Sequence, residues 1–260
     1  MDRKSNNPVL SRGFGQGQRY ATFNTPTPQA SDLQDMYDRP AYAPPRYLTL
    51  DDVVMKTAAC LGVLVATGAV AWVFELGGLA VVGALAGFVL ALVIAFRQST
   101  NPALILTYAA CEGLFLGGIS QLFEARWPGV VIQAVAGTVG VFAGMLVVYK
   151  TGAIRVTPKF TRWLLGALIG VVALMLLNLI VGLFTDDALH LRDGSAMAIV
   201  FSLVCIGVAA LTFLLDFDMI DQAIRQGAPE RFAWYAAFGL VVGLVWLYLE
   251  ILQLLSYFRD

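Results

Sequence analysis

A chain of 260 residues that is 58% hydrophobic and 13% charged, with a mean hydropathy of +0.74, is too apolar for a water-soluble domain and fits a multi-spanning membrane protein. A net charge of −1 says nothing about nucleic acid, but no basic groove pattern appears, and no nucleic-acid partner is expected. The single histidine, His190 in a polar loop, argues against a zinc hydrolase or a histidine-based triad. Cys60, Cys111 and Cys205 are odd in number and lie in apolar runs without metal-ligand spacing, so they read as small buried hydrophobes rather than a disulfide framework.

In chain order, residues 1–48 are rich in Asn, Pro, Ser, Gln and Tyr. Such a stretch buries too little apolar surface to offset chain entropy, and a disordered cytoplasmic tail is expected, either dispensable or used for regulation or docking. It lacks the apolar core of a signal peptide and is expected to stay on the mature protein. The folded domain is expected over residues 49–260. Thr49-Leu50-Asp51-Asp52 is a short-acid capping box that predicts a helix start.

Apolar stretches of about 20 residues follow at 54–74, 76–96, 102–123, 129–149, 163–184, 197–215 and 234–257. Each is long enough to cross ~30 Å of hydrocarbon as a helix, the one single-segment structure that satisfies its own backbone there. The pattern predicts an all-α bundle of seven transmembrane helices. Its least secure boundary is the short Gly77-Gly78 turn, where a hairpin that does not cross is the alternative.

The basic residues set the orientation. With the N-terminus inside, fourteen of the seventeen Lys and Arg fall on the cytoplasmic side, and Arg126, Arg192 and Arg259 on the other. The loops alone favour the same orientation by seven to three. The expected location is the plasma (inner) membrane, multi-pass, with the N-terminus cytoplasmic. Gly83 with Gly87, Gly113 with Gly117, and Gly140 with Gly144 have small-xxx-small spacing, which predicts close helix approach within one bundle.

Carboxylates in or near a bilayer are costly and are functional candidates by default. Asp216 and Asp218 lie where the sixth span ends; two residues apart on a helix, they point to nearly opposite faces. They either mark the cytoplasmic exit of that span or close the inner end of an aqueous path. Arg97, ending span two at the same level, is either an interfacial anchor or a salt-bridge latch on one of these acids. Glu112 and Glu250 lie well inside spans three and seven, where snorkelling to water is difficult; a cation or proton path is the expected role, and a protonated Glu hydrogen-bonded to a neighbouring backbone or to Asn178 is the structural alternative. For Gln133, Asn178 and Gln253, interhelical hydrogen bonding is expected.

The stretches Tyr108–Ser120 (YAACEGLFLGGIS), LLDFD at the end of span six and Trp246–Gln253 (WLYLEILQ) resemble the Bax inhibitor-1/YccA family, also called the transmembrane Bax inhibitor motif family. The resemblance covers residues 49–258, and the LLDFDMIDQ wording is closer to a bacterial branch. It implies a seven-helix fold with the last helix central, and a pH-sensitive calcium leak. It further implies a proton-sharing pair of acids in helices six and seven, latched by an Arg. WLYLE puts Glu250 at the seventh-helix position, Asp216 or Asp218 at the sixth, and Arg97 at the latch. Straight helices would leave Glu250 ~13 Å from Asp216 in depth at 1.5 Å per residue. Either a helix bends or re-enters, or the acids stand in two tiers, the arrangement expected here: an inner gate of Arg97 with Asp216 or Asp218, and a core tier of Glu112 and Glu250.

The function expected is a proton-gated cation leak, with Ca²⁺ the expected ion. The alternative is a non-conducting protein that modulates other membrane proteins or a protease. No enzyme is expected, since neither G-x-S-x-G nor H-E-x-x-H occurs. A retinal protein is excluded because span seven has no lysine for a Schiff base. No resident cofactor is expected, only transient Ca²⁺. The expected partners are the lipid bilayer, Ca²⁺ or protons, and other membrane proteins.

Overall fold

A computed structural model describes residues 46–184 and 191–259. Residues 1–45 of the tail expected over residues 1–48, and the loop histidine His190, lie outside the described residues. Seven helices are long and apolar enough to cross a membrane. They are α1 (Leu50–Val73), α2 (Ala80–Arg97, preceded by a 3-10 turn at Leu76–Leu79), α3 (Pro102–Arg126), α4 (Val130–Thr151), α5 (Pro158–Phe184), α6 (Ala196–Arg225) and α7 (Phe232–Tyr257).

Local chemistry sets the ends of these helices. The predicted capping box forms: Thr49 Oγ1 accepts from the Asp52 amide at 3.2 Å, and Asp52 Oδ2 accepts from the Thr49 amide at 3.1 Å. Asn101 caps α3 by accepting from the Ala103 amide at 2.9 Å, with Pro102 pre-set for the first helical position. At the α3–α4 corner, Glu124 accepts from the amides of Gly129 at 2.6 Å and Val131 at 3.2 Å. It thereby satisfies donors that α4 could not pair internally. The α1–α2 junction joins two segments that are each long and apolar enough to cross a membrane. Glu75 takes a left-handed φ of 52° and the 3-10 turn starts the return.

Three residues assigned to the tail by composition belong to the folded domain. The Leu48 amide donates to the Ala228 carbonyl at 2.8 Å, and the Glu230 amide donates to the Arg46 carbonyl at 2.9 Å. This short antiparallel bridge ties the chain entering α1 to the α6–α7 turn, and Leu48 is buried beneath it. Composition missed it because backbone pairing needs no apolar side chain.

Helix α7 is the axis of the bundle, packing against α1, α3, α4 and α6, whereas α5 packs on α6 and α2 on α3. Of the apolar window in α7, 61% is buried, against 11% in α5, so α7 is central and α5 peripheral. Close helix approach follows two of the three glycine pairs. A Cβ on Gly117 would lie 2.5 Å from the Gly68 carbonyl oxygen on α1, and one on Gly83 would lie 2.8 Å from the Cys111 carbonyl on α3. Gly140 and Gly144 face open space, so their spacing makes no helix contact. The cysteines are free; Cys60 and Cys205 are buried as expected, and Cys111 is only partly so.

Helix α6 runs ten residues past its predicted span. Thirty residues at 1.5 Å give ~45 Å, more than the ~30 Å hydrocarbon. The polar run Asp216–Arg225 is compatible with helix, and the helix stops only where Gly227 takes a φ of 68°. All three aspartates therefore sit on helix rather than in a loop.

Candidate functional site

Helix register places the acids in depth. Helices α6 and α7 are antiparallel: Phe213 abuts Gly243, and Asp216 Oδ1 lies 3.9 Å from where a Gly239 Cβ would stand. Helices α3 and α7 run parallel, with Tyr108 edge-on to Phe238 and Ser120 hydrogen-bonded to Tyr248 at 2.6 Å. Asp216 is thus level with residue 239 of α7, and Glu112 lies roughly level with residues 241–242. Glu250 sits about 13–16 Å further toward the outer end at 1.5 Å per residue.

This register revises the expected tiers. Glu112 and Glu250 do not share one level; Glu112 lies near the depth of Asp216. Its carboxylate faces α2, where a Cβ on Gly87 would come within 2.9 Å of Glu112 Oε1, and Tyr108 one turn earlier is its polar neighbour. No bend in α6 or α7 brings Asp216 to Glu250, so the proton-sharing pair implied by the family resemblance is not formed here.

Glu250 is the most enclosed of the acids, at 2% exposure in the middle of the core-facing stripe of α7. It is held from the outer end. Arg192 Nη2 donates to Glu250 Oε1 at 2.7 Å, a charge-assisted bond. Arg192 comes from the irregular segment 191–195 between α5 and α6, and its side chain is 38% exposed. Glu250 Oε2 is buried and has no hydrogen-bond partner among the described residues. The remaining outer arginines gather at this end too. Arg259 donates to the Pro128 carbonyl and, at 3.0 Å, to Gln133 Oε1, while Arg126 stacks over Trp127.

The inner acids are differently placed. Asp216 is half-buried, with no hydrogen bond or ion pair among the described residues. Asp218 Oδ2 accepts from Gln222 Nε2 at 2.6 Å and lines an inner cleft of about 470 Å³ with Thr161, Gln226 and Phe232. Asp221 pairs with Arg225 at 2.7 Å, one turn along. On the same side, Glu230 holds Lys56 at 3.2 Å.

Arg97 is not a latch in this structure. It is exposed at the end of α2 and meets no carboxylate among the described residues. The reason is packing: α2 rests on α3, not on α6, so Arg97 is kept away from Asp216 and Asp218. The arginine that does hold a buried acid is Arg192. In the sequence its signal is weak: it is one of three arginines on the sparsely charged outer side, in a turn whose distance from Glu250 only folding sets. Among the described residues, no group of three or more His, Cys, Asp or Glu could hold a metal ion.

Seven apolar helices, the last of them central and carrying a buried, arginine-bound carboxylate, define an integral, multi-pass membrane protein. The model of the Bax inhibitor 1-like family matches residues 7–260, and the chain belongs to that family. The match reaches through most of the N-terminal tail, which the resemblance drawn from three motifs had left out. The chain is also similar to an uncharacterized protein of Chlamydia muridarum (strain MoPn / Nigg), 28% identical over 126 residues. That match covers 48% of this chain and 48% of the relative, so it spans about half the length of the curated relative.

Proposed function

We propose that this protein is a passive, proton-sensitive cation leak of the plasma (inner) membrane, with Ca²⁺ as its ion and its N-terminus cytoplasmic. The observation that carries this reading is Glu250: a carboxylate inside the central helix, 2% exposed, with one oxygen on a loop-borne arginine and the other without a partner. A purely structural ion pair would gain most from full pairing, because a buried polar atom left alone costs about 1–3 kcal/mol. Asp216 and Glu112 lie deeper toward the cytoplasm, and Asp218 lines the inner cleft. Together they supply oxygen groups at successive depths, the ligand type a hard cation needs. Protonating such groups removes the charge that draws a cation inward, which gives the pH dependence.

The sidedness of charge supports the orientation. Arg126, Arg192 and Arg259 gather at the Glu250 end, and Lys56, Arg225 and Glu230 at the other. No catalytic residue, resident metal or cofactor is invoked, and transient Ca²⁺ is substrate.

The test is Ca²⁺ uptake into liposomes holding the purified protein across a pH series, with Asp216→Asn, Asp218→Asn and Glu250→Gln beside wild type. Flux that varies with pH and changes in the Glu250 variant and one Asp variant supports the leak. No flux above empty liposomes at any pH sinks it. The second reading, a non-conducting protein that modulates other membrane proteins or a protease, then stands. An apolar groove of about 620 Å³ lined by Leu61, Trp72, Leu116, Val135 and Leu244 favours that reading.

A further inference from the structure

The inner end of the bundle carries its positive charge unevenly. Lys56 is paired with Asp52 and Glu230, Arg46 with Glu230, and Arg225 with Asp221. The stretch 150–162, from the last turn of α4 to the start of α5, holds Lys150, Arg155, Lys159 and Arg162 and no carboxylate. All four are exposed, and none pairs with an acid elsewhere among the described residues. Asp218, which shares the inner cleft with Thr161, accepts instead from Gln222.

Helix stability does not explain this placement. Acids favour a helix start and bases oppose it, because the first amides leave a partial positive charge there. Helix α1 follows that rule with Asp51 and Asp52. Helix α5 does the reverse: its first turn has no acid, and Lys159 and Arg162 stand three residues apart on one face. Thr157 Oγ1 accepts from the Phe160 amide at 3.2 Å, and Arg162 Nε donates to the Pro158 carbonyl at 3.1 Å. These local bonds hold the turn but supply no formal negative charge. An anion at this end offsets both the bases and the amides.

Beside the bases the surface is apolar. Helix α4 stops where Gly152 takes a φ of 67°, and residues 152–157 lead to Pro158. The apolar run of α5 starts at Trp163, an exposed indole of the kind that sits at headgroup level. Leu165 and Ile169 further along are exposed too. Helix α5 packs on α6, and 11% of its apolar window is buried within the chain. Cations at the helix end above an uncovered apolar face follow the polarity order of a phospholipid with a negative headgroup.

We propose that the α4–α5 junction, through Lys150, Arg155, Lys159 and Arg162, is a docking surface for an anionic phospholipid, with the headgroup phosphate among the bases and the acyl chains along α5 beside Trp163. Charge complementarity selects the headgroup, and the exposed apolar face selects a lipid over a free anion. The proposal rests on the chain spanning a membrane; it needs neither the leak nor its sidedness.

The experiment uses the full chain in detergent micelles doped with phospholipid brominated on its acyl chains, which quenches nearby tryptophan. The quenching that disappears in Trp163→Phe reports this site. Brominated phosphatidylglycerol is expected to quench Trp163 at an at least about tenfold lower lipid fraction than brominated phosphatidylcholine, since each base near an anionic surface is worth about a fivefold change in binding. Replacing Lys150, Arg155, Lys159 and Arg162 together by Gln should bring the two lipids level, whereas Arg97→Gln should leave the preference intact. Equal quenching by the two lipids in wild type, or a preference that survives loss of the four bases, overturns the proposal.

If the fourfold variant does not fold, competition on the wild-type protein decides. Inorganic phosphate in large excess, against chloride at matched ionic strength, should not displace the brominated phosphatidylglycerol. Unlabelled phosphatidylglycerol should displace it. Displacement by phosphate would mean a site for free anions and overturn the lipid assignment.

Discussion

The outer end of α7 and the inner end of α6 both present acids, under opposite conditions. At the outer end, Glu250 is dry, central and bound to an arginine far away in sequence. At the inner end, Asp218 and Asp221 are held mainly by neighbours one turn along the same helix, Gln222 and Arg225, with the Tyr149 hydroxyl of α4 also donating to Asp221 at 3.5 Å, and Asp216 is half-buried with no partner among the described residues. Local partners can serve the inner acids because water and headgroups screen them. A buried acid has no such help and needs a partner delivered by tertiary structure. The same residue chemistry is therefore inexpensive at one end and consequential at the other.

The largest expected break in this contrast is Arg192→Ala. Removing one partner of a buried pair costs about 3–5 kcal/mol, and the partial exposure of Arg192 puts the expected loss near about 3 kcal/mol. Thermal unfolding in detergent should show it, and adding Glu250→Gln should restore much of the loss. A change below about 0.5 kcal/mol, the size of a surface pair, would mean that water reaches Glu250 and the contrast is false.

The next effect concerns the bond that sets the α3–α7 register beside Glu250. Tyr248→Phe removes the 2.6 Å link to Ser120 inside the core. The expected loss is about 1 kcal/mol, seen as a lower unfolding midpoint. Ser120→Ala in the same background should add little, because both variants delete the same bond.

Asp216 sharpens the inner half. A half-buried carboxylate without a partner is better replaced by a neutral amide, so Asp216→Asn should leave stability unchanged or raise it by less than about 1 kcal/mol. A clear loss would reveal a partner that matters. The smallest effect is expected for Asp221→Asn, whose pairing with Arg225 is a one-turn surface pair worth about 0.3–0.5 kcal/mol. The same midpoint measurement should barely resolve it, and high salt should abolish it.

How much of this was legible depends on whether the signal was local. The seven spans and the Thr49 capping box were readable because hydropathy and capping act over a few residues. The importance of Glu250 was readable as a charge inside an apolar run. The misjudged features of the site depend on which helices touch. Arg97 and Arg192 look alike as interfacial arginines, yet α2 packs away from α6 while the 191–195 segment drops onto α7. Gly113/Gly117 and Gly140/Gly144 have identical spacing, yet the first pair meets α1 and the second faces outward. The placing of Glu112 with Glu250 failed because residue counts along two helices give depth only once their relative register is known.

The amino-acid sequence alone determined that this chain is a seven-helix membrane protein with acids in helices three, six and seven, because a bilayer demands long apolar helices and makes any charge within them conspicuous. Only the tertiary structure decided that α7 is the axis in contact with four neighbours, that the acids stand at separate depths, and that Arg192 is the partner of Glu250. Partner choice in a bundle is set by helix contacts and register, and these arise from close-packed side chains distant in the chain.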